Sequence, residues 1–362
     1  MNILDRYIIK TILSFVLLTM GVVLALWAIL MFSAEQTDVG VGGYNAAAAG
    51  WFTLLNMPQN MYTLLPVTAL IGSLLGMDSL ARGSELTVIR ATGVSVGRIA
   101  LTVAAAAVVL MVAEVLLGES IGPQLTQAAR EQKAFLKYSN ISFGSGSSGA
   151  WVRDGNLILN VTGQSGQHEF GGMQIFELSP QHRLIAVGRA GTANAQGGHK
   201  WLLGEYVESR LLQDSVEVRP LGPKVLNSNV TAGFLGLAVQ DPGLLTSRGL
   251  WQLIRYNRMN ALDTRQYVFN FWSRVARTVA ILFAVLLPIP LMLGSRRSGG
   301  AGMRIMVGIL LGASMILLQR VIENGTFVFD LNPVLLAWTP TLLLGTVTLA
   351  LLYRAMRGGM IR

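Results

Sequence analysis

Arg82-Gly-Ser-Glu-Leu-Thr-Val-Ile-Arg-Ala-Thr-Gly93 lies between two long apolar segments. Its composition predicts a helix too short to cross a bilayer and too apolar to stand free. Ser84 is placed to cap the first turn, Glu85 sits at the positive end of the helix dipole, and Gly93 ends the helix. Leu86, Val88 and Ile89 form a small apolar edge. Arg82, Arg90 and Arg98 place the stretch on the cytoplasmic side, because cytoplasmic loops of membrane proteins are enriched in Lys and Arg. Such a helix either lies on the membrane surface as a plain turn or docks on a partner.

The rest of the chain supports the membrane setting. Of 362 residues, 52% are hydrophobic and 13% charged, whereas soluble domains carry about 25% charged residues. A net charge of +9 and a pI near 10.2 raise the question of nucleic acid. The basic residues flank apolar segments and form no basic domain, which answers it. With no cysteine, disulfides, thiolate metal sites and a cysteine nucleophile are excluded.

Six spans are expected. Thr11 to Ala34 carries no charge and reads as a retained signal anchor rather than a cleaved leader. Val39 to Gly50 reads as an outside loop that re-enters helix near Ala46. A second span runs from Met57 to Leu80 with a kink at Pro66, and a third from Val94 to Leu117. Glu114, near the outer end of the third, is expected to face protein or water. The fourth covers about Phe269–Gly294, the fifth about Ile305–Phe327 and the sixth Leu331–Tyr353. Arg6, Lys10, Arg82, Arg90, Arg98, Arg296, Arg297, Arg304, Arg354, Arg357 and Arg362 all fall in the proposed inside segments, and the short outside loops carry no basic residue. Both termini are therefore expected inside.

Between Glu119 and Ser247 the pattern changes to period 2. Trp151-Val-Arg, then Asp154-Gly155, then Asn-Leu-Ile-Leu reads as a hairpin on a two-residue turn. Met173–Leu178, a Ser179-Pro180 turn and Arg183–Val187 read as a second hairpin. Trp201-Leu-Leu and Ser215–Arg219 continue the pattern, which suggests one sandwich or jelly roll. Thr246 or Ser247 then caps an amphipathic helix through Trp251, Leu253, Ile254 and Met259. The resulting division is 1–118, three spans with the short helix at 82–93; 119–247, an outside β domain; and 248–362, a linking helix and three more spans.

Catalytic motifs fail on context. Gly93-Val-Ser-Val-Gly97 matches a nucleophile elbow but opens a membrane helix with no strand before it. Gly144-Ser-Gly-Ser-Ser-Gly149 lacks the Lys-Ser/Thr of a phosphate loop and reads as a flexible connection. His168, His182 and His199 fall in turn-like stretches and read as solvated surface residues. Arg130, Lys133 and Lys137 share one helical face after the third span. Positive charge there suits an anionic phosphate-bearing amphiphile or anchors to headgroups, and the residues alone leave both open. Arg274 and Arg277 read as side chains snorkelling to headgroups, and Arg320 and Glu323 as a possible pair.

Leu4-Asp-Arg-Tyr-Ile8, Arg82-x-Ser-Glu-Leu-x-Val-Ile-x-Ala-x-Gly93, Asn270-Phe-Trp-Ser-Arg274 and Gly302-Met-Arg-Ile-x-x-Gly-Ile309 occur in that order. In this the chain resembles the lipopolysaccharide export permeases, the LptF/LptG family, and its LptG branch more than its LptF branch. The resemblance implies an α-helical membrane protein with six transmembrane helices (3+3) and a periplasmic β-jelly-roll domain inserted between helices 3 and 4, residing in the bacterial inner membrane. It implies a non-catalytic subunit that pairs with an LptF-like permease and sits on an LptB-like ATPase dimer, which uses ATP and Mg while this chain binds no cofactor or metal. It further implies an LptC-like single-span protein and an LptA-like periplasmic bridge, with lipopolysaccharide as substrate. Residues 82–93 would be the coupling helix on the ATPase, with Ser84, Glu85 and Arg90 polar contacts and Leu86 and Ile89 filling the groove. Arg130 and Lys133 would meet lipid A phosphates, and Leu24, Phe32, Leu64, Ile305 and Ile309 would wall the lipid cavity. The family often carries a lysine at the outer end of the first span; Ile29-Leu-Met-Phe-Ser-Ala-Glu-Gln36 here has no base. The competing readings are another ABC exporter, for lipoprotein or peptide, and a non-transport envelope protein.

Overall fold

A computed structural model describes residues 3–138, 150–164, 169–181, 183–195, 200–212, 215–228, 242–260, 262–294 and 331–358, with 306, 310–314, 317–319 and 321–322. The chain divides into two compact units, Met1–Glu35 with Thr53–Thr126 and Thr264–Arg362, and Gln36–Phe52 with Gln127–Asp263.

The first unit is helical. Its elements are α1 (Ile3–Glu35), α3 (Met57–Arg82), α4 (Glu85–Ala91), α5 (Val96–Leu116), α8 (Arg265–Leu286), α9 (Pro288–Gly294) and α10 (Pro333–Gly358). Among the described residues five helices are long and apolar enough to cross a membrane: Ile3–Asp38, Met57–Arg82, Val96–Arg130, Arg265–Met292 and Pro333–Arg357. They coincide with the first, second, third, fourth and sixth expected spans. The fifth falls mostly outside the described residues, as do Ile305, Ile309, Arg320 and Glu323.

α1 packs on α3 along a four-residue repeat. Ile8, Ile12, Val16 and Met20 are buried, and Gly72 and Gly76 make room for them. A Cβ on Gly72 would stand 2.4 Å from the Val16 Cα, and one on Gly76 3.3 Å from the Ile12 Cα. Small residues four apart let two helix backbones meet closely, which is how packing drives helix association in lipid. Beyond Met20 the outward residues Val22, Leu26, Ile29 and Leu30 are exposed. This face of the second half of α1 is thus left uncovered by the described residues.

The second unit holds α2 (Ala46–Leu55), α6 (Gly122–Tyr138), whose last turns it contains, α7 (Ser247–Met259) and a sheet. The six strands β1 (Ala150–Asp154), β2 (Leu157–Gln164), β3 (Glu169–Leu178), β4 (Leu184–Ala195), β5 (Lys200–Leu211) and β6 (Val216–Asn227) form one antiparallel sheet in sequence order. Both expected hairpins are present. The first turn sits one residue later than its sequence suggested: Asp154 pairs with Leu157, so Gly155 and Asn156 make the turn. Gly155 takes φ +58°, a conformation that costs glycine little. Val152, Leu159, Phe170, Met173, Trp201 and Leu203 fill one face, with Phe170 edge-on to Trp201 at 5.4 Å. Tyr256 of α7 packs against this cluster.

α7 is capped by Thr246, whose hydroxyl accepts from the Gly249 amide at 3.1 Å. Its buried stripe is Leu250, Leu253, Ile254 and Asn257. Trp251 and Met259, expected on that stripe, are 57% and 77% exposed. Neither falls on the i, i+3, i+4, i+7 face that the other four share. Among the described residues β6 is an edge strand, carrying Pro220 and Pro223, with Val216, Val218, Leu221 and Val225 exposed.

One polar knot ties β5 to β6. Lys224 Nζ donates to Glu208 Oε2 at 2.8 Å and lies over the Tyr206 ring at 4.6 Å. That hydrogen bond holds the Glu208 carboxyl below its usual range although burial opposes it, while burial raises the Tyr206 hydroxyl. A lowered carboxyl stabilises the fold above its unfolded value and loses that contribution as pH falls through the folded one. Glu208→Gln is therefore expected to cost about 1 kcal/mol at neutral pH, a charged hydrogen bond discounted for partial exposure. It should also flatten the acid limb of unfolding, followed by near-UV circular dichroism. An acid limb identical to wild type would show that the pair is not linked to folding.

Candidate functional site

The organising stretch folds as a reversal. Asp78 and Arg82 pair at the end of α3, where Arg82 Nε donates to the carboxylate at 2.7 Å. Gly83 and Ser84 turn the chain, and Gly93 leaves α4 at φ +88°. Ser84 stands at the expected cap position but does not cap: its backbone is left-handed (φ 58°, ψ 5°) and its side chain makes no cap hydrogen bond. A capping side chain needs an extended backbone. Ser95 has one (φ −69°, ψ 152°) and accepts from the Arg98 amide at 3.2 Å, capping α5.

The apolar edge of α4 faces inward. Leu86 is 4% and Ile89 8% exposed, within a cluster that includes Ile8, Met77, Leu80 and Val96. This corrects the expectation that Leu86 and Ile89 fill a partner's groove. A seven-residue helix with two large aliphatics one turn apart buries them in its own protein when a core lies within reach. The outward face is Ser84, Thr87, Val88 and Arg90, with Val88 60% exposed. Glu85 is half-buried and interacts with the Tyr7 hydroxyl. Asp5, in the N-terminal motif, accepts from the Thr102 hydroxyl at 2.9 Å and pairs with Arg98 at 3.5 Å. The N-terminal turn of α1 is thereby stitched to the start of α5 beside α4.

A second polar cluster lies where α5 ends. The helix widens to a π turn over Leu117–Ile121 before α6, a form that frequently marks functional sites. Arg274 Nη1 donates to the Gly118 carbonyl at 3.1 Å and to Glu119 Oε1 at 2.9 Å. Its side chain is 7% exposed. Arg274 is therefore a buried clamp, not a snorkelling residue, because the π turn offers it both a carbonyl and a carboxylate. Glu114 is fully buried, facing protein as its position suggested, and takes the Thr278 hydroxyl. Tyr62 lies beneath both Arg274 and Arg277. Gly118 admits the Tyr62 ring, which a Cβ there would meet at 2.4 Å. The Arg274–Glu119 pair spans 155 positions, so no local spacing announces it. The sequence signal was Arg274 inside an apolar span. Arg274→Met is expected to lower stability by about 2 kcal/mol, since Glu119 keeps some solvent while the Gly118 carbonyl loses its donor. Arg274→Lys should not restore it, lacking the forked geometry. Thermal unfolding in detergent measures both.

In the second unit Lys133 is engaged. Its ammonium pairs with Asp38 at 2.9 Å and lies 4.8 Å from the Phe52 ring centroid and 5.6 Å from that of Tyr44. The Gly43 amide donates to the Leu136 carbonyl at 2.7 Å, fastening the same loop to α6. Arg130 is exposed on α6. Of the expected cavity residues, Leu24 is half-buried against the α1 core and Phe32 is 38% exposed. Leu64 is 7% exposed and cannot wall an open cavity. It sits on α3, which packs against both α1 and α8.

Comparison with known proteins agrees with this architecture. The family model for lipopolysaccharide export system permease LptF/LptG matches residues 6–354. The lipopolysaccharide export system permease protein LptG of Escherichia coli K12 is 31% identical over 358 residues, covering 98% of each chain. That of Haemophilus influenzae is 29% identical over 343 residues, covering 94% of this chain and 96% of its own. A match along nearly the whole chain, on a helical membrane unit interrupted by a six-stranded sheet, places this protein in the LptF/LptG family of lipopolysaccharide export permeases.

Proposed function

We propose that the chain is the transmembrane permease subunit of an ABC transporter that extracts lipopolysaccharide from the inner membrane and passes it toward the outer membrane. The observation that carries this reading is the uncovered face of the second half of α1. A helix whose Val22, Leu26, Ile29 and Leu30 are left uncovered by the described residues suits a subunit whose first span faces a partner permease and a lipid cavity. Both termini lie in the cytoplasm and the β domain in the periplasm, in keeping with the inside bias of Lys and Arg. The partners are an LptF-like permease, an LptB-like ATPase dimer that binds ATP and Mg, an LptC-like single-span protein and an LptA-like bridge.

α4 couples to the ATPase through its outward face, Ser84, Thr87, Val88 and Arg90, while Leu86 and Ile89 hold it to the membrane core. Glu85 links this helix to the start of α1 through Tyr7. Arg130 and Lys133 contact the substrate's phosphates, Lys133 by exchanging Asp38 for phosphate. Native mass spectrometry of the tagged protein, gently extracted from its own membrane, tests the assignment. The expected complex holds two ATPase copies, a second six-span permease and bound lipopolysaccharide. Recovery with an ATPase but a different lipid or a peptide would overturn the substrate, and recovery alone would overturn the transporter.

A further inference from the structure

A cavity of about 40 Å³ opens among α3, α8, α10 and the apolar helical segment Leu310–Gln319, lined by Pro66, Ser273, Arg277, Gln319, Pro340 and Thr341 among others. Two independent features mark it as a site. The Ser273 hydroxyl, on a residue 7% exposed, is buried with no hydrogen-bond partner. The Arg277 guanidinium rests on the Tyr62 ring at 4.9 Å, and among the described residues no acceptor takes its N–H donors. A buried hydroxyl and a guanidinium in an apolar helix bundle are both costly when left unpaired. Pro66 and Pro340 are both inside helices, and each removes the amide that would bond the carbonyl four residues earlier. Two unmet donors thus line one small space.

Its level in the membrane indicates the occupant. Trp272 and Trp338 lie 6.4 Å apart, centroid to centroid, and such pairs mark the bilayer interface. Arg277 follows Trp272 by about 7.5 Å of helix, and Thr341 follows Trp338 by less. That is within reach of headgroup phosphates. Charge narrows the choice further. Arg274 is paired with Glu119 and Glu114 takes the Thr278 hydroxyl, so Arg277 is the cation that faces this space and calls for an anionic group.

We propose that this cavity binds the phosphodiester of a membrane glycerophospholipid through Arg277 and Ser273, as a lipid held by this chain alone and separate from the exported substrate. The site uses only helices of one chain and does not depend on the transport reading.

Native mass spectrometry tests it on the full chain, delipidated in neutral detergent and titrated with phosphatidylethanolamine, phosphatidylglycerol or inorganic phosphate. One phosphatidylethanolamine or phosphatidylglycerol per chain is expected to be retained. Ser273→Ala should weaken it about 10-fold, and Arg277→Gln about 10- to 100-fold, from loss of hydrogen bonds to a charged group. Arg277→Lys should bind at an intermediate level, which separates loss of the contact from loss of the fold. Equal retention by wild type and both weakened variants would overturn the site. Tighter binding of inorganic phosphate would overturn its lipid source.

Discussion

Gly72→Val is expected to detach α1 from α3. The new Cβ would fall 2.4 Å from the Val16 Cα and 2.7 Å from its backbone nitrogen. Backbone cannot rotate aside as a side-chain tip can, so the helices must separate. Over-packing commonly costs about 1–3 kcal/mol, and a backbone clash belongs above that range. Separation also strips Ile12, Val16 and Met20 of their partners. Gly76→Ala is the informative contrast: its Cβ meets the Ile12 Cα at 3.3 Å, a shortfall of tenths of an ångström, and it should fold with a modest penalty. Thermal unfolding and detergent-resistant yield measure both. A valine variant as stable as wild type would mean that the close approach of α1 and α3 does not hold the bundle together.

Val88→Asp is expected to abolish recovery of the ATPase with this chain and to stop lipopolysaccharide export while leaving the protein folded. Val88 is 60% exposed at the centre of the outward face of α4, so the change removes little internal packing. At an interface anchor a buried charge costs upward of about 2 kcal/mol, roughly 30-fold in affinity. Leu86→Ala should do the opposite. It empties a core position and lowers stability by about 2–4 kcal/mol, yet leaves the docking face intact, so surviving protein should still recover the ATPase. Co-purification of the ATPase together with a melting curve separates the two. If Leu86→Ala abolished recovery in folded protein while Val88→Asp did not, the inward placement of Leu86 would have to give way.

The spans were legible because an uncharged apolar run needs only length to be read, and the hairpins because period 2 and a glycine turn are local signals. Proline and glycine punctuation around Gly155 and Ser179-Pro180 placed both turns to within a residue. What resisted was direction. Two aliphatics on a seven-residue helix fit a partner's groove and a nearby core equally well, and only the packing of α1, α3 and α5 decided that Leu86 and Ile89 turn inward. Long-range pairs were hidden for the same reason. Nothing in the spacing of Lys133 points to Asp38, nor of Arg274 to Glu119, because each partner arrives on a different element. Gly72 and Gly76 are the reverse case. Their four-residue spacing was visible, but its meaning depended on knowing which helix lay opposite.

β6 leaves Val216, Val218, Leu221 and Val225 exposed, a strand whose apolar side chains alone would make it a template for neighbouring copies at the crowded membrane surface. Pro220 and Pro223 interrupt it. Each lacks the amide that a further strand would need, and proline on an edge is a common guard against sheet-to-sheet polymerisation. The ladder with β5 is itself irregular around Tyr206 and Val207, where Gly222 takes φ +64°. A substitution that replaced either proline would restore a backbone donor to the single molecule while inviting aggregation of the population.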